Sequence, residues 1–130
     1  MRFTVSATVP AAPREIYDAW LDGRRHSAMT GAKATASTRV GGTFTAWDGY
    51  ASGKNLELAP GKRIVQSWRT SDFAAGDPDS TIAVTLTAAA GGTKVTLVHS
   101  GLAAGSENYK DGWRDYYFSP MKAYFAKVKS

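Results

Sequence analysis

In the opening stretch "RFTVSATV", Phe3, Val5, Ala7 and Val9 fall on one side at period two. That alternation predicts a half-buried strand, which Pro10 stops. The period then changes. Pro13 stands where the first turn of a helix tolerates proline best, and Ile16, Tyr17, Trp20 and Leu21 share one face behind it. Asp22 and Gly23 interrupt this helix, and "RRHSAMTG" reads as a second short one ended by Gly31.

From residue 34 to 100 the pattern returns to strands, predicted at 34–40, 43–48, 52–58, 62–70, 80–88 and 93–100. Gly41-Gly42, Asp48-Gly49, Pro60-Gly61 and Gly91-Gly92 sit at the joins and predict antiparallel hairpins. The polar run "SDFAAGDPDS" is too long for a simple turn and is expected to be mobile. Within "RVGGTFTAWDGYASG", Phe44 points inward, and Trp47, of opposite parity, is expected over an edge or loop.

Helical spacing resumes after Ser106, a predicted N-cap, with Tyr109, Trp113, Tyr116, Tyr117, Met121, Tyr124, Phe125 and Val128. Some twenty residues would make a rod about 30 Å long. Pro120 lies inside it and cannot donate to the Tyr116 carbonyl, so a bend is predicted. No repeat or composition break divides the chain, which is read as one domain over residues 1–130. The element order predicts an α+β fold, an antiparallel sheet whose apolar face is covered by the last helix.

Composition narrows the chemistry. Cysteine is absent, which excludes disulfides, thiolate metal sites and cysteine nucleophiles. The formal charge is +5, but the Lys and Arg residues are scattered among acids with no basic stripe, so neither nucleic acid nor a membrane surface is an expected partner. With no apolar secretory stretch and no run of transmembrane length, the expected compartment is the cytoplasm. Gly53-Lys54 is followed by Asn55, and Asp48 stands where a phosphate-binding loop needs its first glycine, so that motif is absent. Nucleophile-elbow and zincin motifs are absent too, and no metal or cofactor is expected.

Six segments together carry a family likeness: "VPAAPREIYDAW", "HSAMTGAKA", "RVGGTFTAWDGY", "GKNLELAPGKRIVQSWR", "GGTKVTLVHSGL" and "GWRDYYFSPMKAYF". The chain resembles the C-terminal domain of the activators of heat-shock protein 90 ATPase, within the START-like superfamily. The resemblance implies a helix-grip fold: a seven-stranded curved antiparallel sheet around a long C-terminal helix, with two short helices after the first strand. It also implies a hydrophobic cavity between sheet and helix. The activators carry a separate N-terminal domain that makes much of the chaperone contact, and 130 residues are expected to leave no room for it.

Residues expected at the cavity come from every element. The two short helices and first hairpin offer Trp20, Met29 and Phe44; the strands offer Gln66, Trp68 and His99; the last helix offers Trp113, Tyr117 and Met121. Gln66 shares parity with Ile64 and Trp68, and His99 with Val95 and Leu97, so both polar groups should point inward and need partners. They are expected, with Tyr117, to orient a ligand's polar end, whereas His26 is expected to be exposed. The leading reading is a non-enzymatic module, monomer or homodimer, that holds a hydrophobic or aromatic small molecule in about 300 to 1,000 Å³. The alternative is a co-chaperone-like module that binds a heat-shock protein 90 type chaperone and stimulates its ATPase. An enzyme resembling the cyclase-like branches of the superfamily would use His99 or a buried carboxylate as acid or base, and no inward carboxylate pair is legible.

Overall fold

A computed structural model describes every residue except Ala104, Glu107 and Ser130, and every side chain but also those of Val128 and Lys129. The sheet contains β1 (Phe3–Val9), β2 (Thr43–Ala46), β3 (Ala51–Ala59), β4 (Arg63–Thr70), β5 (Ser80–Ala89) and β6 (Gly92–Ser100). Helices α1 (Pro13–Trp20) and α2 (Gly23–Thr30) follow β1, and the chain ends in α3 (Asn108–Trp113), a π-helical turn (Arg114–Phe118) and α4 (Ser119–Lys129). The strand order is β1-β6-β5-β4-β3-β2, antiparallel throughout.

One face of this sheet is apolar because the alternation is strict where it matters. Ile82, Val84 and Leu86 of β5 and Val95, Leu97 and His99 of β6 are buried, as are Ile64, Gln66 and Trp68 of β4. Trp113, Tyr117, Phe118, Met121 and Phe125 of the C-terminal segment are buried in the same core. This is the expected helix-grip arrangement, built with six strands among the described residues and not seven.

The missing strand is 34–40. It makes a single bridge, Thr35 to Thr45, and then turns. Asn55, buried in β3, captures it: its Nδ2 donates to the carbonyls of Ser37 at 2.8 Å and Arg39 at 2.9 Å. The Asn55 backbone exchanges bonds with Gly41 and Gly42, and Gly41 takes φ +83° to make this wrap. A side-chain amide thus satisfies carbonyls that a ladder would otherwise pair.

Local signals set the short helices. The Asp22 carboxylate caps α2 by accepting from the Arg24 and Arg25 N–H groups, and Gly31 closes it with φ +84°. Farther on, the Ser106 carbonyl accepts the Tyr109 N–H at 3.1 Å where α3 begins. Before Pro120 the helix widens, and the Ser119 N–H reaches back five residues to the Arg114 carbonyl. Through this turn both Tyr117 and Phe118 are buried while Tyr116 is exposed.

Two directional hydrogen-bond chains fasten helices to sheet. In the first, Trp113 Nε1–H donates to His99 Nδ1 at 3.0 Å, and His99 Nε2 lies 2.8 Å from Ser80 Oγ. Ser80 gives its one proton to the Trp68 carbonyl at 2.6 Å, so it accepts from His99 Nε2–H. This fixes His99 neutral, with its proton on Nε2. In the second, Trp20 Nε1–H donates to Gln66 Oε1 at 3.2 Å, and Gln66 Nε2 donates to Asn55 Oδ1 at 2.9 Å.

Each chain generates a test. Burial holds His99 down from 6.5 to about 4, so its stabilisation is complete above the unfolded value and is lost as pH falls toward the folded one. Between roughly pH 6.5 and 5, urea denaturation should show stability falling by about 1.4 kcal/mol per pH unit for this group. His26, also held low by burial, adds to the same slope, and His99→Phe should leave only that remainder. Gln66→Leu strands the Trp20 N–H and the Asn55 carbonyl oxygen, for an expected loss of about 2 to 4 kcal/mol by the same measurement.

Candidate functional site

Where the β2–β3 turn, β4 and the first half of the C-terminal segment meet, a cleft of about 430 Å³ opens. Its walls are three tryptophans, Trp47, Trp68 and Trp113, and four tyrosines, Tyr50, Tyr109, Tyr116 and Tyr117; Asn108 and Gly112 complete them.

Trp47 arrives there through its backbone. Trp47, Asp48 and Gly49 have φ of +55°, +57° and +91°, three left-handed residues in succession. For a bulky side chain this is a sparsely populated conformation that its surroundings must hold. The Asp48 N–H donates to the Lys33 carbonyl at 2.9 Å, the Asp48 carboxylate accepts the Lys33 N–H at 3.2 Å, and the Tyr50 N–H bonds the Trp47 carbonyl at 3.1 Å. Strand parity ends at Ala46. The Trp47 indole is accordingly turned onto Tyr116 and Tyr117, 5.7 and 6.3 Å between centroids, and from the β2–β3 turn it walls the cleft.

The other rings are held from behind. Trp68 packs edge-on to His99 at 4.9 Å and tilted against Trp113 at 5.3 Å. Tyr109 stands at 89° to Trp68, its hydroxyl 2.9 Å from Thr70 Oγ1. Tyr50 donates to Asp72 at 2.6 Å, and burial together with that carboxylate raises its phenol well above the ordinary value. Tyr117 is also raised by burial.

His26 is buried, not exposed. Its Nδ1 lies 2.9 Å from the Trp20 carbonyl, which only accepts, so Nδ1 carries the proton and Nε2 takes the Tyr117 hydroxyl at 3.4 Å. His26 lies in the first turn of α2, and its ring reaches back to the last residue of α1. Burial accordingly lowers its pKa.

Gly112 shapes the remaining wall. A Cβ there would meet no atom within 4 Å, so the residue leaves helix-side space open to the cleft. On the far side of the Tyr109 ring lies a smaller cleft of about 310 Å³, bordered by Asp72, Phe73, Asp77 and Leu102. The polar loop beside it is stitched by Arg69, which donates to the carbonyls of Asp77 at 2.6 Å and Ala74 at 2.7 Å.

Of the residues expected at a cavity, Trp68, Trp113 and Tyr117 line the larger cleft. Trp20, Phe44, Met29 and Met121 are buried in the core, and Gln66 and His99 spend their polar atoms on protein partners. Sequence reasoning missed Trp47, Tyr50, Asn108, Tyr109, Gly112 and Tyr116 as wall residues. A signal for part of this was present: Tyr109, Trp113 and Tyr117 repeat at four, and glycine sits between them. Among the described residues no cluster of three His, Asp or Glu could hold a metal ion, and no helix is long and apolar enough to cross a membrane. The arrangement offers flat aromatic contact and a few fixed polar atoms, which is the chemistry of binding.

Residues 10–126 match the family described as activator of Hsp90 ATPase homolog 1-like protein. The human activator of 90 kDa heat shock protein ATPase homolog 1 is 32% identical over 125 residues, covering 95% of this chain and 37% of that protein. The chain thus spans about a third of the length of that relative. Among solved structures, an HSP90 activator from Plasmodium falciparum superposes with TM-score 0.84 at 23% identity, over 95% of this chain and 94% of that one. The Aha1 dimer from Colwellia psychrerythraea gives 0.79 at 17% identity, over 95% of each chain. These two likenesses are of fold. With the family match covering most of its length, the chain belongs to the activator of Hsp90 ATPase homolog 1-like family.

Proposed function

We propose that this protein is a binding module whose larger cleft holds an aromatic or otherwise apolar small molecule. The observation that carries the reading is the wall itself: seven aromatic rings around about 430 Å³, a size that suits small-molecule sites. Ring contact would supply the burial, and Asn108 and the phenol oxygens would orient the ligand. Gln66 and His99 serve from behind, by keeping Trp20 and Trp113 in place.

Gly112 provides the test. Gly112→Leu adds a side chain at a cleft position where its Cβ meets no atom within 4 Å, and replaces a helical glycine that is worse than an ordinary residue by roughly 0.5 to 1 kcal/mol. The variant should be at least as stable as the parent by thermal melting. In the parent, neutral 2-naphthol should shift the indole N–H signals of Trp47, Trp68 and Trp113 in proton–nitrogen NMR spectra. In the variant those shifts should vanish. Unshifted parent indoles at millimolar 2-naphthol would sink the ligand-binding reading.

A second reading rests on the relationship to the human activator: contact with a heat-shock protein 90 type chaperone and stimulation of its ATPase. Titration into a chaperone ATPase assay decides it, and a rate unchanged at saturating protein removes this reading while leaving the first untouched.

A further inference from the structure

We propose that the larger cleft selects organic cations, those whose charge is spread over a flat or methylated nitrogen centre. The inference rests on the ligand-binding reading and asks which molecules the cleft prefers. What decides the preference is where the wall's protons point. Trp113 gives its N–H to His99, Tyr50 gives its O–H to Asp72, and Tyr117 gives its O–H to His26. Three strong donors of the wall are therefore turned away from the space they enclose. What these three residues leave facing a ligand is π density and oxygen lone pairs, so the wall's free donors are reduced to neutral groups of Trp68, Asn108 and Tyr116.

Among the described residues no Lys, Arg or His lines the cleft, and no aliphatic side chain does. An anionic ligand would find no cation among the described lining residues, only neutral donors such as the Trp68 indole and the Asn108 amide. A cation would find rings of negative quadrupole, with Trp the strongest of the aromatic partners. The bond to Asp72 at 2.6 Å enriches the Tyr50 ring further and places a carboxylate one residue's reach from the wall.

The rings are also arranged as adjoining walls. Trp68 meets Tyr109 at 89°, and Trp47 meets Tyr116 at 76° and Tyr117 at 74°. Such right-angle corners are those of an aromatic box, the geometry that surrounds a cation on several sides. Charges of both signs stand near the rim: Lys110 follows Tyr109, and Lys33 is bonded through its backbone to Asp48. Asp48 adjoins Trp47, and the Arg114 guanidinium is paired with Asp111 at 3.0 Å and Asp115 at 3.3 Å. The excess of positive charge over the whole chain acts at longer range and is screened beyond about 10 Å at 0.1 M salt.

The test compares three probes of nearly one shape by isothermal titration calorimetry at physiological ionic strength: cationic N-methylquinolinium, neutral 1-methylnaphthalene and anionic 1-naphthoate. N-methylquinolinium should bind at least tenfold more tightly than the hydrocarbon, with naphthoate weakest. Gly112→Leu should abolish its heat of binding, and heat that survives in that variant overturns the assignment to this cleft. Equal or tighter binding of methylnaphthalene, or a preference for naphthoate, overturns the cation preference and leaves the ligand cleft standing. Binding of none of the three removes both.

Discussion

The protein depends on one directional chain of hydrogen bonds, from the Trp113 indole through His99 and Ser80 to the Trp68 carbonyl. Each of its three donors has one proton to give and gives it in the same sense, and the Trp68 carbonyl only accepts. Reversing any one would set two donors or two acceptors face to face in a buried place. The chain joins the C-terminal helical segment to strands β6, β5 and β4 in a single line. It fixes the Trp113 indole directly, and the His99 ring in the middle of it packs edge-on against the Trp68 indole. Fold and site are consequently one construction, since the contacts that close the helix over the sheet also aim the rings.

The same economy recurs at the other end of the sheet. Gln66 and Asn55 link α1 to the segment that wraps the edge, and Asn55 does for that segment what a seventh strand would have done. Both chains use polar residues on the inward face, where polarity is tolerated only because every atom finds a partner. Family membership implies a shared scaffold, and function belongs to what is grafted on it. On this scaffold a ring-lined space lies between the left-handed turn at Trp47 and the helix at Gly112, and it is the site proposed above.

Much of the scaffold was legible because its signals are local. Period-two alternation marked β1, β5 and β6; Pro13 and Gly31 marked helix boundaries; and parity alone put Gln66 and His99 inside. What was not legible depended on distant partners or on a broken period. Residues 34–40 carry strand-like alternation, yet the Asn55 amide diverts them. His26 looks like a surface residue until the Trp20 carbonyl and the Tyr117 hydroxyl enclose it. At Trp47, three positive φ values cancel the parity rule, and in the last helix the π turn shifts the phase between Trp113 and Met121. Of the cleft's aromatic residues only Trp68, Trp113 and Tyr117 were legible as wall from the sequence, and the side of the helix on which it opens was not.

The indole stack has a spectroscopic consequence. Trp68 lies 5.3 Å from Trp113, and Trp113 lies 6.3 Å from Trp20, so three of the four indoles form a continuous run through the core. At such separations their transition dipoles couple, and the protein absorbs and emits as a small assembly of chromophores instead of as independent ones. Its near-ultraviolet circular dichroism then reports the relative angle of sheet and helix, and would fade if the two parted while every strand remained intact.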